Sequence, residues 1–401
     1  MFTPLVRASG LRLLALGLGI SVGILIARLG GPDLKGVASA YTAAVILGST
    51  VLNFDIGQQA LRVRRESSIP IGLLRPILTI TILFLVLSSA AAITAAIYDS
   101  KVFWLVAGAT VHAAMTITTV VLVGLRGPAI ANWTGVLQPL TLGSGVLVLA
   151  HLDALTSSNI FAATALSFLT PLTLIALPLI ISDQHHSDVE DGVVPLQAVL
   201  RTSSEWQVGR LFHTATLKAD VLIAAWLLGA SSAGIYSVGT SLAMLANVIP
   251  QQVAHQTLHE ASGSGPDRTT RRLLQSAILA TASGALIAGV GTYAIVPLFG
   301  ADFAKSIPVM YAAIPGVVAY SIVQVAITHL RITGSAKDYT KLAILGVAVL
   351  MTTALLMRPL EEVGIAAAWS VSCLAMTTFA LKYFIGKDRT NHDPEPVHPV
   401  S

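Results

Sequence analysis

Runs of about twenty mostly apolar residues recur along almost the whole chain, and no other feature constrains its fold as tightly. A helix needs about that many residues to cross the hydrocarbon core of a bilayer. Within lipid, only helices and closed barrels satisfy every backbone polar group. The runs are 9–28, 36–59, 71–98, 102–124, 131–150 and 158–182, and then, beyond a polar stretch, 203–229, 232–256, 273–298, 306–330, 340–357 and 362–385. They predict an all-α integral membrane protein with about twelve transmembrane helices. Composition agrees. Of 401 residues 54% are apolar and 11% charged, and the mean hydropathy is +0.77, whereas a soluble domain carries about 25% charged residues. A soluble core of this size could not hide so much apolar surface.

The net charge of +4 and the pI near 9.2 would suit a nucleic-acid partner. The location of the basic residues argues against one, because they flank apolar runs on one side. With the N-terminus inside, 18 of the 24 Lys and Arg fall on the cytoplasmic side, from Arg7 and Arg12 to Lys387 and Arg389. Five, namely Arg28, Lys35, Lys101, Lys305 and Arg358, fall outside, and Lys218 lies within a span. Adding or dropping one span in mid-chain would scramble this asymmetry, so both termini are expected in the cytoplasm. The first run leads into no soluble domain through a cleavage site and reads as a span, not a signal peptide. The single cysteine, Cys373, lies inside an apolar run and reads as a small core residue.

Six spans, a polar linker and six more spans predict two parallel lobes. Residues 1–182 form the N-terminal lobe, 183–202 a cytoplasmic linker and 203–386 the C-terminal lobe. The proline-rich tail 387–401 has the composition of a disordered segment. The halves echo each other at an offset near 200. Leu29-Gly30 matches Leu228-Gly229, Asp99 matches Asp302, and Leu125-Arg126 matches Leu330-Arg331. A parallel duplication about an axis along the membrane normal would place a substrate between the halves.

No enzyme signature is present: no GxSxG elbow, Walker loop, HExxH pair or cysteine cluster. His185-His186, with Asp183 and Asp188, sits in the linker and is not expected to bind a metal. Polar groups within spans are therefore the informative ones, because each is costly if it faces lipid. The seventh span is the richest. His213, Thr216 and Asp220 stand at i, i+3 and i+7, and Arg210, Thr214 and Lys218 form a neighbouring stripe. Such a helix must face protein or a wet cavity. Asp55, Gln58, Gln59 and Arg62 line the cytoplasmic half of the second span, and Asn247, Gln251, Gln252, His255 and His259 line the eighth. Gly19-Ile-Ser-Val-Gly23 is a GxxxG pattern whose default reading is close helix packing.

Several segments together resemble the polysaccharide-repeat-unit flippases of the MATE-like multidrug/oligosaccharidyl-lipid/polysaccharide exporter superfamily. Ala27-Arg28-Leu29-Gly30-Gly31-Pro32, followed by Gly36, is similar to that family's pattern after its first helix. Lys218-Ala219-Asp220-Val221-Leu222, then Leu228-Gly229 and Gly234-Ile235-Tyr236-Ser237-Val238, is similar to its R-x-D-x-L…L-G…G-I-Y-S. Pro297-Leu298-Phe299-Gly300-Ala-Asp-Phe303 resembles the turn before its tenth helix, and Glu362-Val363-Gly364-Ile365-Ala366 the turn into its last. Two departures stand out. Lys218 replaces an arginine, which bears on anion contacts, and Gly239 stands where alanine is usual, a change expected to matter little.

The resemblance implies a two-lobed MATE-like bundle in a bacterial cytoplasmic membrane. It also implies alternating access that moves an undecaprenyl-diphosphate-linked oligosaccharide, in the company of a polysaccharide polymerase or glycosyltransferases. It carries over Arg28, Lys218 and Asp220 as cavity residues. Helix-face reasoning adds Arg210, His213, Asp55 and Arg126. No cofactor is expected beyond a coupling H⁺ or Na⁺. A multidrug exporter coupled to such an ion, using Asp55 or Asp220, is a competing reading, as is a flippase for the lipid-linked precursor of peptidoglycan. A membrane enzyme acting on lipid-linked sugars is a third, with Asp33 and Asp302 its only outer-side candidates.

Overall fold

The computed structural model describes residues 2–53, 100–126, 129–176, 196–251, 266–333 and 335–392. Every regular element among them is helical. In chain order these are α1 (Phe2–Asn53), α2 (Ser100–Arg126), α3 (Ala129–His151), α4 (Ser157–Pro171), α5 (Leu196–Leu228), α6 (Ala230–Met244), α7 (Pro266–Phe299), α8 (Ser306–Thr333), α9 (Ala336–Leu356) and α10 (Glu361–His392). Nine helical stretches among the described residues are long and apolar enough to cross a membrane. The expected third span, 71–98, lies outside the described residues, as do the linker's 183–195 and the last residues of the tail, 393–401.

The first stretch, Leu14–Asn53, covers most of the first two expected spans with no loop between them. Gly31 alone leaves helical geometry, with φ 67° and ψ −171°. Glycine adopts that conformation without a steric penalty, and Pro32 then opens the next segment where its missing N–H costs nothing. Residues 29–35 resemble a connection in composition because Gly-Gly-Pro-Asp interrupts the apolar run. The chain needs only one residue to turn. Gly229, at φ 93°, does the same between α5 and α6.

By compactness the chain divides into two units, Met1–Ser237 with Leu298–Phe303, and Val238–Pro297 with Ala304–Ser401. In the first, α1 packs on α2, α3 and α5, and α4 packs on α2 and α3. Val22, Ile26, Ala38, Val146 and Ile160 form one core cluster there; Tyr41, Val45, Phe161 and Phe168 form another. In the second unit α10 packs on both α8 and α9, around fully buried Met310, Leu342, Leu350 and Ile365. Alanine and serine recur among the buried residues of both units. Lipid tails are as apolar as leucine, so close approach of small side chains and hydrogen bonds, not water exclusion, holds such helices together.

Pro315, inside α8, illustrates the second of these. Proline disturbs the i→i−4 ladder around it, and a neighbour must supply replacement bonds at membrane depth. Ser370 of α10 does so. Its hydroxyl accepts from the Gly316 N–H at 3.1 Å and donates to the Ala312 carbonyl at 2.6 Å, standing between two groups that an unbroken helix would pair directly. A Cβ on Gly316 would lie 2.6 Å from that hydroxyl, so the glycine is what admits the serine.

Gly364 lies under a similar restriction, since a Cβ there would stand 2.0 Å from the Met357 carbonyl oxygen. That explains the small-residue pattern at the start of α10. The expectation that Gly239 matters little fails. A Cβ at that position would stand 2.7 Å from the Ser306 carbonyl oxygen and 2.8 Å from a Val309 methyl, so this contact requires glycine.

Candidate functional site

Polarity in the first unit gathers on α5. Its buried side chains fall in two groups, Ser203, Trp206 and Gln207, then Thr216, Asp220, Ile223 and Ala224, each at three- and four-residue spacing, and mark the face packed towards α1. Trp226, at 73% exposure, marks the opposite face. The helix therefore turns its polar stripe inward, as its composition demands. Gln207 anchors the arrangement by donating from Nε2 to the Thr50 carbonyl at 2.7 Å.

About one and three turns further along, Arg210 and Lys218 lie within electrostatic reach of His112 of α2. They stand about 12 Å apart along the helix at its rise of 1.5 Å per residue. His112 is fixed by Ser49, whose hydroxyl lies 2.7 Å from Nδ1, and by an edge-on contact with Phe168 at 4.7 Å between ring centroids. His213, on the neighbouring stripe of α5, is partly buried. Arg210 and Lys218 thus place two cations on one membrane-length helix, an arrangement suited to anionic groups.

Asp220 is placed differently. It is buried, and its Oδ2 accepts from the Tyr236 hydroxyl at 2.7 Å, while Oδ1 is buried with no hydrogen-bond partner among the described residues. The D-x-L…G-I-Y pattern is thus one buried bond across the Gly229 turn. Arg28 donates from Nε to the Leu298 carbonyl at 2.8 Å and so holds the Leu298–Phe303 turn to the first unit. Asp55 lies outside the described residues. Arg126 ends α2, and its side chain lies outside them too. His255 and His259 of the eighth span and His185-His186 of the linker are likewise outside.

α1 and α6 cross beside this cluster in a reciprocal contact. A Cβ on Gly36 would stand 1.7 Å from the Ala230 carbonyl oxygen, and one on Gly234 2.0 Å from the Pro32 carbonyl oxygen. One helical turn further on, the Ser39 hydroxyl donates to that of Ser237 at 3.0 Å. Pro32 and Ala230, Gly36 and Gly234, and Ser39 and Ser237 are all separated by the same interval in sequence. At this crossing the contact is locally two-fold, each of these residues meeting its counterpart one interval away.

Three participants escaped the sequence reading. His112 and Ser49 meet only through tertiary packing, although a histidine in the middle of an apolar run is itself a signal. Lys35 was expected in an outer connection. It lies instead within helical α1, its ammonium 3.6 Å from where a Cβ on Gly23 would stand. None of the seven candidate cavity residues read from the sequence lines the apolar cavity of about 390 Å³ beside Tyr41, Phe161 and Leu222, to which Lys101 also belongs. Among the described residues no cluster of His, Cys, Asp or Glu could hold a metal ion.

The sequence matches no protein-family model and no curated protein. Solved structures do resemble it. A MATE transporter in complex with MaL6 superposes with a TM-score of 0.66 at 13% identity, over 96% of each chain. A MATE transporter from Vibrio cholerae gives 0.62 at 12% identity, over 96% of this chain and 97% of that one. The lipid II flippase MurJ, in an inward closed conformation, gives 0.63 at 11% identity, over 94% of this chain and 87% of that one. At such identities the likeness is one of fold: this chain is a multi-pass helical membrane protein with the architecture shared by MATE transporters and MurJ.

Proposed function

We propose that this protein is a flippase that moves a polyprenyl-diphosphate-linked oligosaccharide across the bacterial cytoplasmic membrane for cell-surface polysaccharide synthesis. It would work by alternating access between two parallel six-helix lobes, with both termini cytoplasmic. The observation that carries this reading is that α5 holds partly buried Arg210, His213 and Lys218 inside a membrane-length helix, beside a buried polar face of Gln207, Thr216 and Asp220. Cations held inside the span region repel a cationic drug and attract a diphosphate. A fold shared with a lipid II flippase supports the same direction. In this proposal the cargo-facing share falls to Arg210, His213 and Lys218. Asp220 and Arg28, already bonded to Tyr236 and Leu298, hold the helices that present them. Asp55 and Arg126 are proposed as cavity residues on helix-face grounds alone. A polymerase or glycosyltransferases would supply or consume the lipid-linked glycan at the membrane.

A second reading, an exporter coupled to H⁺ or Na⁺, draws on one specific observation: Asp220 is a buried acid inside the span, and its Oδ1 has no hydrogen-bond partner among the described residues. The likeness to MATE transporters fits it. A strain lacking the protein separates the possibilities. Accumulated lipid-linked glycan with lost surface polymer supports the proposal, and accumulated peptidoglycan precursor supports a lipid II flippase. Unchanged glycans with raised sensitivity to cationic drugs would overturn both in favour of drug export.

A further inference from the structure

Lys35 stands one turn into the second segment of α1, and its side chain runs back along the first. Its ammonium rests beside Gly23, about 12 Å along the first segment from the Gly31 kink at the usual helical rise. A lysine near the end of a span ordinarily snorkels towards water. This one points the other way, towards the middle of an apolar helix. Among the described residues it has neither a carboxylate within ion-pair distance nor a hydrogen-bond partner. An ammonium so placed is costly unless an anion or water compensates it.

The surroundings form a slot. Gly19 and Gly23 lie on one face of the first segment. A Cβ at Gly19 would meet nothing within 4 Å, and one at Gly23 would meet only the ammonium of Lys35. Among the described residues no helix packs against this GxxxG pattern, whose backbone lies bare but for the Lys35 ammonium. On the second segment Ser39 and Thr42 follow Lys35 at i+4 and i+7. Their hydroxyls are already donated, to Ser237 and to the Ala38 carbonyl. The uncommitted donors on this face, among the described residues, are those of Lys35.

We propose that Lys35, over the bare backbone of Gly23, is an anion site that takes a phosphate group of the transported lipid. An ammonium is a compact charge with rotatable donors and binds phosphate oxygens without needing a fixed fork geometry. The identity of the cargo rests on the flippase reading; the existence of the site does not.

The test uses the full chain in nanodiscs, with inorganic pyrophosphate and farnesyl diphosphate as probes and farnesol as the phosphate-free control. Affinity is read from a thermal shift or from tryptophan fluorescence. Lys35→Gln and Gly23→Leu are expected to weaken both phosphate probes at least about tenfold, while Lys35→Arg, which keeps the charge, stays within about threefold of wild type. Wild-type affinity in a well-folded Lys35→Gln variant would overturn the site, as would an equal loss of farnesol binding. Should Lys35→Gln fail to fold, Lys35→Cys carries the test. Pyrophosphate on the wild type should protect the amine from acylation, and the Cys variant should show no such phosphate dependence in its thiol reactivity. If both probes bind through Lys35 but no lipid-linked oligosaccharide moves in liposomes, the flippase reading falls and the site stands.

Discussion

The Tyr236 hydroxyl donates to Oδ2 of Asp220 across 2.7 Å, closing the Gly229 turn between α5 and α6 with a buried bond. Tyr236 is fully buried and Asp220 is 5% exposed. A hydrogen bond to a charged group contributes about 1.5–3 kcal/mol. Tyr236→Phe is therefore expected to lower the melting temperature of the purified protein by several degrees. Asp220→Asn should lower it less, because an amide oxygen still accepts from the phenol. Equal melting temperatures for wild type and Tyr236→Phe would show that another donor replaces the tyrosine.

The reciprocal contact of Gly36 and Gly234 makes a sharper prediction. A methyl group at either position would overlap a carbonyl oxygen that belongs to the opposing backbone, which cannot swing aside as a side chain can. Overpacking of this kind costs about 1–3 kcal/mol or more. Gly36→Ala and Gly234→Ala should each reduce the folded yield, whereas Gly17→Ala and Gly19→Ala, with nothing within 4 Å, should not. Size-exclusion profiles of the four variants decide it.

The same crossing offers a covalent probe. With their hydroxyls 3.0 Å apart, Ser39→Cys combined with Ser237→Cys is expected to form a disulfide on mild oxidation, visible as a shift in non-reducing electrophoresis. Absence of the cross-link in folded protein would contradict the packing of α1 on α6.

Ser370 replaces hydrogen bonds that Pro315 disturbs in α8. Ser370→Ala leaves the Gly316 N–H without its acceptor in a buried place and is expected to cost about 1–3 kcal/mol. Combining it with Pro315→Ala should recover part of that loss, since the ladder can then close on itself. Strict additivity in thermal unfolding would show that the serine and the proline act independently.

The cationic stripe is tested by charge removal. Lys218→Gln and Arg210→Gln should each lower cargo export at least about tenfold while abundance in the membrane stays normal, and Lys218→Arg should retain most activity. Full export by Lys218→Gln would remove that residue from the cargo path.

Much of this architecture is legible in the sequence because bilayer-length apolar runs leave few alternatives. The burial of polar Gln207, Thr216 and Asp220 on α5 was legible from its polarity, whereas Arg210 and Lys218 were read from helical spacing and their role is a proposal. Less legible was how little chain a turn requires. Gly31 and Gly229 each redirect the backbone in one residue, and Lys35 accordingly sits inside a helix where composition suggested a loop. Composition records that glycine is present but not which one adopts a positive φ. His112 was missed for another reason: its partners Ser49, Arg210 and Lys218 lie on different helices, so no local spacing announces them. Gly239 was undervalued because its requirement comes from Val309 and the Ser306 carbonyl, across a helix contact that a motif comparison does not see.

The most direct test of the central claim is translocation by the purified protein in liposomes. A fluorescent polyprenyl-diphosphate disaccharide is placed in both leaflets, and the fraction reachable by an external reductant or lectin is followed over time. The account predicts that wild-type protein makes nearly all of the labelled lipid reachable, and that the Lys218→Gln variant leaves about half protected, as protein-free liposomes do. A protected half that persists with the wild-type protein, while the same liposomes accumulate a cationic drug, would contradict it.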